Sequence, residues 1–72
     1  MVMSRLTQRE ILNNAFKEAV HREEQREARY NYLHAAIGDE RLKGLFGDFA
    51  RTCGEHLRQL KVEMKNFNIE KN

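Results

Sequence analysis

The sequence predicts an all-α protein, an antiparallel helical hairpin that dimerises into a four-helix bundle, and three observations support this prediction. The chain contains no proline, and residues with high helix propensity dominate its composition. A Gly-Asp pair, Gly38 and Asp39, interrupts it near the middle. On both sides of that pair, apolar residues recur at alternating spacings of three and four, which is typical of one face of a helix.

The start of the first helix is marked by the segment Thr7-Gln8-Arg9-Glu10, which matches a capping box. In this motif the threonine hydroxyl accepts a hydrogen bond from a free backbone amide, and the glutamate side chain reaches back to the N-cap. Leu6 and Ile11 then occupy the two positions of a hydrophobic staple.

The turn between the helices is predicted from Gly38 and Asp39. Gly38 is expected to end the first helix in the left-handed conformation, which costs glycine little. Asp39 is a suitable N-cap for the second helix, and Glu40 lies near the positive end of its dipole. The predicted elements of this single domain (residues 1–72) are a helix over about 8–37, a turn at 38–39 and a helix over about 40–67.

Three glycines, Gly44, Gly47 and Gly54, fall inside the predicted second helix. Each costs about 1 kcal/mol relative to alanine in a helix interior. Gly47 and Gly54 lie on one edge of the apolar stripe. Close approach of a neighbouring helix would account for them, and so would loosely constrained surface positions.

Length and composition limit the class of protein. A chain of 72 residues forms a small core, and its single cysteine, Cys53, excludes an internal disulfide. The N-terminal segment has no apolar signal-like region and no segment is long and apolar enough to span a membrane, so a soluble, cytoplasmic protein is expected. The net charge of +2 comes from interspersed charges, so no nucleic-acid partner is expected.

Both apolar stripes become polar in the middle. The stripe of helix 1 is Leu12, Phe16, Ala19, Glu23, Arg26, Tyr30, Leu33 and Ile37, with Val20 alongside. The stripe of helix 2 is Leu42, Phe46, Phe49, Cys53, His56, Leu60 and Phe67, flanked by Ala50, Leu57 and Met64. In an antiparallel hairpin that turns at 38–39, Glu23 faces the segment between Cys53 and His56, so the two polar patches should meet.

Two amphipathic helices cannot enclose a core by themselves, and the width of each stripe suits four helices better than two. The sequence therefore predicts a homodimer or a higher homo-oligomer. Three interpretations of the polar centre remain open. It is a metal site of carboxylate and imidazole ligands for iron, manganese or zinc; or a structural polar cluster with a Glu23–Arg26 ion pair; or a solvated face.

The segments EEQREARYNYL and LKGLFGDFARTCGEHLRQL resemble the helical hairpin of the ferritin-like, rubrerythrin-like superfamily. In that family the first helix carries a ligand glutamate about seven residues before a tyrosine, a pattern that Glu23 and Tyr30 match. The second helix carries Glu-x-x-His, of which His56 matches the histidine. The resemblance covers roughly residues 11–64 and implies a di-iron carboxylate site with redox or iron-handling chemistry.

This chain departs from the family pattern in two respects. Cys53 stands where the family has the glutamate of Glu-x-x-His, so the bridging carboxylate is missing and the site is expected to be degenerate. The chain also supplies one hairpin where a full ferritin-like domain has two, and dimerisation would supply the second. The expected ligands are Glu23 and His56, with Cys53 or Glu27 as further candidates.

Tyr30 and Arg26 are expected to lie beside the metal ligands. In the alternative interpretation, Cys53 is a small buried hydrophobe and Glu27 pairs with an arginine. His34 borders the stripe near the turn, and His21 lies off it.

The sequence therefore leaves three hypotheses about function. The first is a small ferritin-like metal-binding protein, and the second is a non-catalytic dimerisation or interaction module without metal. The third, a binder of anionic surfaces through Arg22, Arg26 and Arg29, is disfavoured by the neighbouring glutamates. Enzymatic activity rests on the resemblance alone, because the chain lacks a Ser/His/Asp set, a phosphate-binding glycine loop and a Cys/His zinc motif.

Overall fold

The computed structural model describes residues 7–69, which form two antiparallel helices packed against each other. Helix α1 spans Gln8–Ala36 and helix α2 spans Glu40–Asn66. No strand occurs within the described part of the chain, so the predicted all-α hairpin is confirmed. Neither of these helices contains a segment long and apolar enough to cross a membrane.

The predicted capping box starts α1. The Glu10 amide donates to the Thr7 hydroxyl at 3.1 Å, and the Thr7 amide donates to the Glu10 carboxylate at 2.9 Å. Two of the amides left without partners at the helix start are thereby satisfied. Leu6 of the predicted hydrophobic staple lies outside the described residues.

The prediction of a left-handed glycine at the end of α1 is wrong. The helix ends at Ala36, Ile37 is an extended C-cap whose amide donates to the Leu33 carbonyl at 3.0 Å, and Gly38 does not have a positive φ. A left-handed residue is unnecessary because the connection continues in extended backbone to Asp39. Asp39 is the predicted N-cap of α2 and accepts a hydrogen bond from the Leu42 amide at 3.0 Å.

The end of α2 has a Schellman motif that the sequence analysis did not identify. Asn68 takes the left-handed conformation (φ 57°), and its amide donates to the Lys65 carbonyl at 3.0 Å. The Ile69 amide donates to the Met64 carbonyl at 2.7 Å. Ile69 and Met64 are both buried, so this cap folds the chain back onto the hairpin core. Asparagine tolerates the left-handed region, and Asn68 was the signal in the sequence.

The core lies between the two helices and is small. A buried cluster of Val20, Leu57, Met64 and Ile69 occupies the end away from the turn, with Leu12, Phe16 and Leu60 partly buried against it. Three aromatic rings pack at the end near the turn, where the Tyr30 ring lies 6.1 Å from that of Phe46 and 5.2 Å from that of Phe49. The antiparallel register predicted from a turn at 38–39 also places Tyr30 opposite this aromatic pair, and these contacts confirm it.

Two of the three helical glycines allow close approach of α1. A Cβ atom at Gly47 would lie 3.0 Å from the His34 ring, and one at Gly54 would lie 3.1 Å from the Glu27 carboxylate. Gly44 faces open space, with no atom within 4 Å of a Cβ built there. The close-approach interpretation therefore holds for Gly47 and Gly54, and the surface interpretation holds for Gly44.

We expect Gly44→Ala to raise the free energy of unfolding by about 1 kcal/mol, because alanine has the higher helix propensity and nothing obstructs its methyl group. Gly47→Ala should gain less or destabilise, because the new methyl group displaces the His34 ring from its hydrogen bond to the Lys43 carbonyl, 2.7 Å long. Urea unfolding of both variants at one protein concentration measures the difference. Equal stabilisation by the two substitutions would show that the close approach at Gly47 carries no cost.

Candidate functional site

The polar centres of the two helices meet in an open groove along one face of the hairpin. Its walls in the central part of the hairpin come from both helices. They include Ala19, Glu23, Arg26 and Tyr30 of α1 and Phe49, Cys53, His56 and Leu60 of α2. The alternation of three and four residues places these side chains on one face of each helix, as the two stripes predict.

Glu23 is the central side chain of this groove, with only 14% of its side chain exposed. Its Oε2 atom accepts a hydrogen bond from Arg26 Nη1 at 3.3 Å, one helical turn away. Its Oε1 atom is buried and accepts no hydrogen bond from any of the described residues. His56 Nδ1 lies 3.5 Å from that oxygen atom, while half of the His56 side chain (51%) is exposed.

An unsatisfied carboxylate oxygen atom in a buried position is energetically unfavourable, since desolvation of the charge is not compensated there. The donors beside this carboxylate are the Cys53 thiol, the half-exposed His56 ring and the Arg26 guanidinium. Glu23 Oε1 is therefore the atom in this site that most needs a further donor or a cation.

Cys53 is buried beside Glu23 and only 5% exposed. Burial raises the pKa of its thiol above the ordinary value, because desolvation penalises the thiolate. The Glu23 carboxylate beside it favours the protonated thiol and raises the pKa further. Metal ions bind the thiolate, so this environment disfavours Cys53 as a ligand at neutral pH.

Arg26 and Tyr30 lie beside Glu23 on the same wall of the groove, where the sequence places them. The Arg26 side chain is 58% exposed and uses one nitrogen atom for its bond to Glu23. The remaining guanidinium donors of Arg26 can therefore reach a group that enters the groove.

Glu27 does not line this groove with the other candidates. It is partly buried, and its carboxylate packs over Gly54, where the missing side chain makes room for it. The sequence places Glu27 one turn after Glu23, but a step of one turn also rotates it toward the seam between the helices.

The remaining histidines and arginines of interest have local partners or solvent. The His34 ring bonds to the Lys43 carbonyl, and Lys43 Nζ donates to the His34 carbonyl at 2.8 Å, which clasps the two helices near the turn. His21 is exposed. Arg22 forms an ion pair with Glu18 at 2.8 Å on the surface of α1.

The structure thus brings Glu23, Cys53 and His56 together, with Arg26 and Tyr30 beside them. No group of three or more His, Cys, Asp or Glu side chains within residues 7–69 has the geometry to hold a metal ion. The sequence analysis placed Phe49 in the α2 stripe but did not name it as part of the groove wall next to the polar centre. Its place in the stripe next to Cys53 was the available signal.

Comparisons with protein-family models, with curated proteins and with solved structures found no match to this chain.

We expect the thiol of Cys53 to titrate above its ordinary pKa of 9.0 and Glu23→Gln to lower that pKa, because the substitution removes a negative charge beside the thiol. Ultraviolet absorbance of the thiolate measures the titration, and Glu55→Gln, on the exposed face of α2, is the matched control. An unchanged titration in Glu23→Gln would contradict the contact.

The raised pKa has a consequence for stability. The folded state holds the Cys53 thiol proton more tightly than the unfolded state does. The protonated thiol therefore contributes to the free energy of unfolding fully below its pKa in the unfolded state, and this contribution is lost as the pH rises through its pKa in the folded state. We therefore expect the stability difference between the wild-type protein and Cys53→Ala to shift in favour of the variant as the pH rises above about 9.

Proposed function

We propose that the protein is a self-associating helical module in which two hairpins pack groove to groove as a four-helix bundle, the architecture that the ferritin-like resemblance implies. In this role the bundle itself is the functional unit, and the polar centre aligns the two copies. The proposal assigns no catalytic reaction to the chain.

The incomplete shielding of large apolar side chains carries this proposal. The described residues that are buried include no aromatic ring, whereas Phe49 and Phe67 remain 40% and 45% exposed. Tyr30 and Leu60, which line the groove, are only partly buried, and so is Phe46 of the same α2 stripe. A second apolar layer over the groove would remove this surface from water, at about 25 cal/mol per Å² of apolar area.

The polar centre also fits a groove that is covered by another helical pair. Covering the groove would bury the half-exposed Arg26 and His56 beside the buried Glu23 carboxylate, so each would need a partner. A polar group in an otherwise apolar interface fixes the register of helices, because any shift places a charge against an apolar side chain.

We expect the wild-type protein to sediment as a dimer and its thermal midpoint to rise with protein concentration, since association stabilises the folded state by mass action. Phe49→Ala should weaken association by tenfold or more, because it removes a ring from the covered face. Analytical ultracentrifugation over a range of concentrations measures both.

Leu45→Ala is the matched control, since Leu45 is on the same helix and is 41% exposed, almost the same as Phe49 at 40%. It does not line the groove. Equal effects of the two substitutions would argue against the groove as the interface, and a wild-type monomer at every concentration would refute self-association.

A second candidate function is binding of a divalent metal ion, with iron as the ion that the resemblance implies. The observation that favours it is the buried Glu23 Oε1 without a hydrogen bond, 3.5 Å from the His56 imidazole. A carboxylate and an imidazole are suitable ligands for iron, zinc or manganese. The groove fits a metal ion only in part. Burial keeps the Cys53 thiol protonated, so Glu23 and His56 are the two ligands that this part of one hairpin supplies.

If the metal proposal is correct, native mass spectrometry under anaerobic conditions should detect one or two ferrous ions per pair of chains. Glu23→Gln and His56→Gln should each abolish binding, because each removes one of the two proposed ligands of the ion. His21→Gln is the control, since His21 is an exposed histidine off the groove. Retention of iron by both groove variants would place the ion elsewhere.

A further inference from the structure

We infer that the occupant of the groove is a second copy related by a two-fold axis perpendicular to the helices, so that the turns lie at opposite ends and Arg26 of each copy pairs with Glu23 of the other. This inference rests on the proposed self-association and adds its topology, its register and the contacts that fix it. The spacing of the two stripes, the size of the side chains and the charges each support it.

The stripe of α1 is symmetric in spacing about a point between residues 24 and 25. When α1 packs antiparallel on the same helix of a second copy about that point, every stripe position meets another one. The four contacts are Leu12 with Ile37, Phe16 with Leu33, Ala19 with Tyr30 and Glu23 with Arg26, each made twice. A stripe of this kind has other centres of symmetry. If the centre moved by three and a half residues toward the N-terminus, to residue 21, Arg26 would meet Phe16.

Most of the stripe of α2 has the same symmetry about a point between residues 54 and 55, where Phe49 meets Leu60 and Cys53 meets His56. Phe46 is the exception, because it meets the exposed residue Glu63, which is not part of the apolar stripe. The two centres lie at the same height in the hairpin, because Glu23 contacts His56 and the Tyr30 ring contacts Phe49. A single two-fold axis can therefore pass through both helices.

Side-chain size distinguishes this arrangement from the one with both turns at the same end. With the turns together, one layer of the bundle would hold Tyr30 and Phe49 from both copies, and the layer beyond the polar centre would hold Ala19 and Leu60 from both. With the turns apart, each of these layers holds one tyrosine, one phenylalanine, one alanine and one leucine. Layers of equal side-chain volume allow uniform close packing. In the arrangement with the turns together, one layer would be crowded and the other would contain voids.

The charges favour the same arrangement. With the turns apart, the free guanidinium donors of Arg26 reach the partner's Glu23 carboxylate through Oε2, the oxygen atom that also accepts from the half-exposed Arg26 of its own copy. The pair is reciprocal, so the interface carries equal numbers of both charges. With the turns together, Arg26 would instead face the protonated Cys53 thiol.

The test of topology measures the distance between nitroxide labels at Gly38→Cys in a Cys53→Ala background by double electron–electron resonance. Gly38 is exposed and has open space around it. Turns at opposite ends give labels about 40 Å apart, since about 13 residues at 1.5 Å each separate every turn from the axis. Turns at the same end give about 10–20 Å, and that result overturns the inference while leaving self-association intact.

Labels at Ala28, on the exposed face of α1 near the axis, are the control, because both topologies bring them within measurable range. An intermolecular distance there establishes that the labelled protein is dimeric. A protein that sediments as a monomer overturns both this inference and the proposed function. A dimer with a short distance between the labels at residue 38 overturns the inference alone, so the two failures are distinguishable.

The test of the contact uses Glu23→Arg and Arg26→Glu, which give helices with two like charges at the centre. Each variant alone should associate at least tenfold more weakly than the wild type, and an equimolar mixture should recover association to within about threefold. Circular dichroism establishes that each variant is helical. Glu55→Arg and Arg58→Glu, the same charge pair at the same spacing on the exposed face of α2, should change association little. A mixture that fails to recover overturns the reciprocal pair.

Discussion

Two helices packed against each other share one contact surface and enclose no interior, and the main features of this structure follow from that constraint. The fully sheltered positions between the helices suit side chains such as Val20, Ala50 and Cys53. Large rings such as Phe49 can cover the seam on one side while their other side stays in solvent. Gly47 and Gly54 add to the contact surface by letting side chains of α1 approach the α2 backbone. The hairpin is therefore closely packed between its two helices, whereas large side chains on its groove face stay partly exposed.

The polar centre limits the registers in which another helical pair can pack on this groove face. An apolar stripe alone would allow several registers, whereas a buried carboxylate at the midpoint penalises every register that leaves it against apolar atoms. Glu23 Oε2 is paired with the half-exposed Arg26 in the groove, so the carboxylate favours a partner that brings a further donor to the same height. In the proposed dimer the second copy brings that donor, and the cost of burying the charge is offset across the interface.

The two proposed functions make competing use of the same carboxylate. A second guanidinium group against Glu23 repels a divalent cation, and a metal ion held by Glu23 and His56 leaves Arg26 without its carboxylate partner. Iron binding and the reciprocal ion pair are therefore expected to oppose each other in one assembly. The protonated state of the buried Cys53 thiol weighs toward the ion pair, because it removes the third ligand that the sequence offered.

The sequence by itself determined the all-α hairpin, the capping of both helix starts and the pairing of Glu23 with the Cys53–His56 segment. These features follow from local signals and from the period of the stripes, which are properties of neighbouring residues. Tertiary structure alone decided that Glu27 packs over Gly54 instead of entering the groove, that α1 ends without a left-handed Gly38, and that Glu23 Oε1 is buried without a hydrogen bond. Those outcomes depend on how closely and at what rotation the two helices approach, and residue spacing along one chain does not fix either quantity.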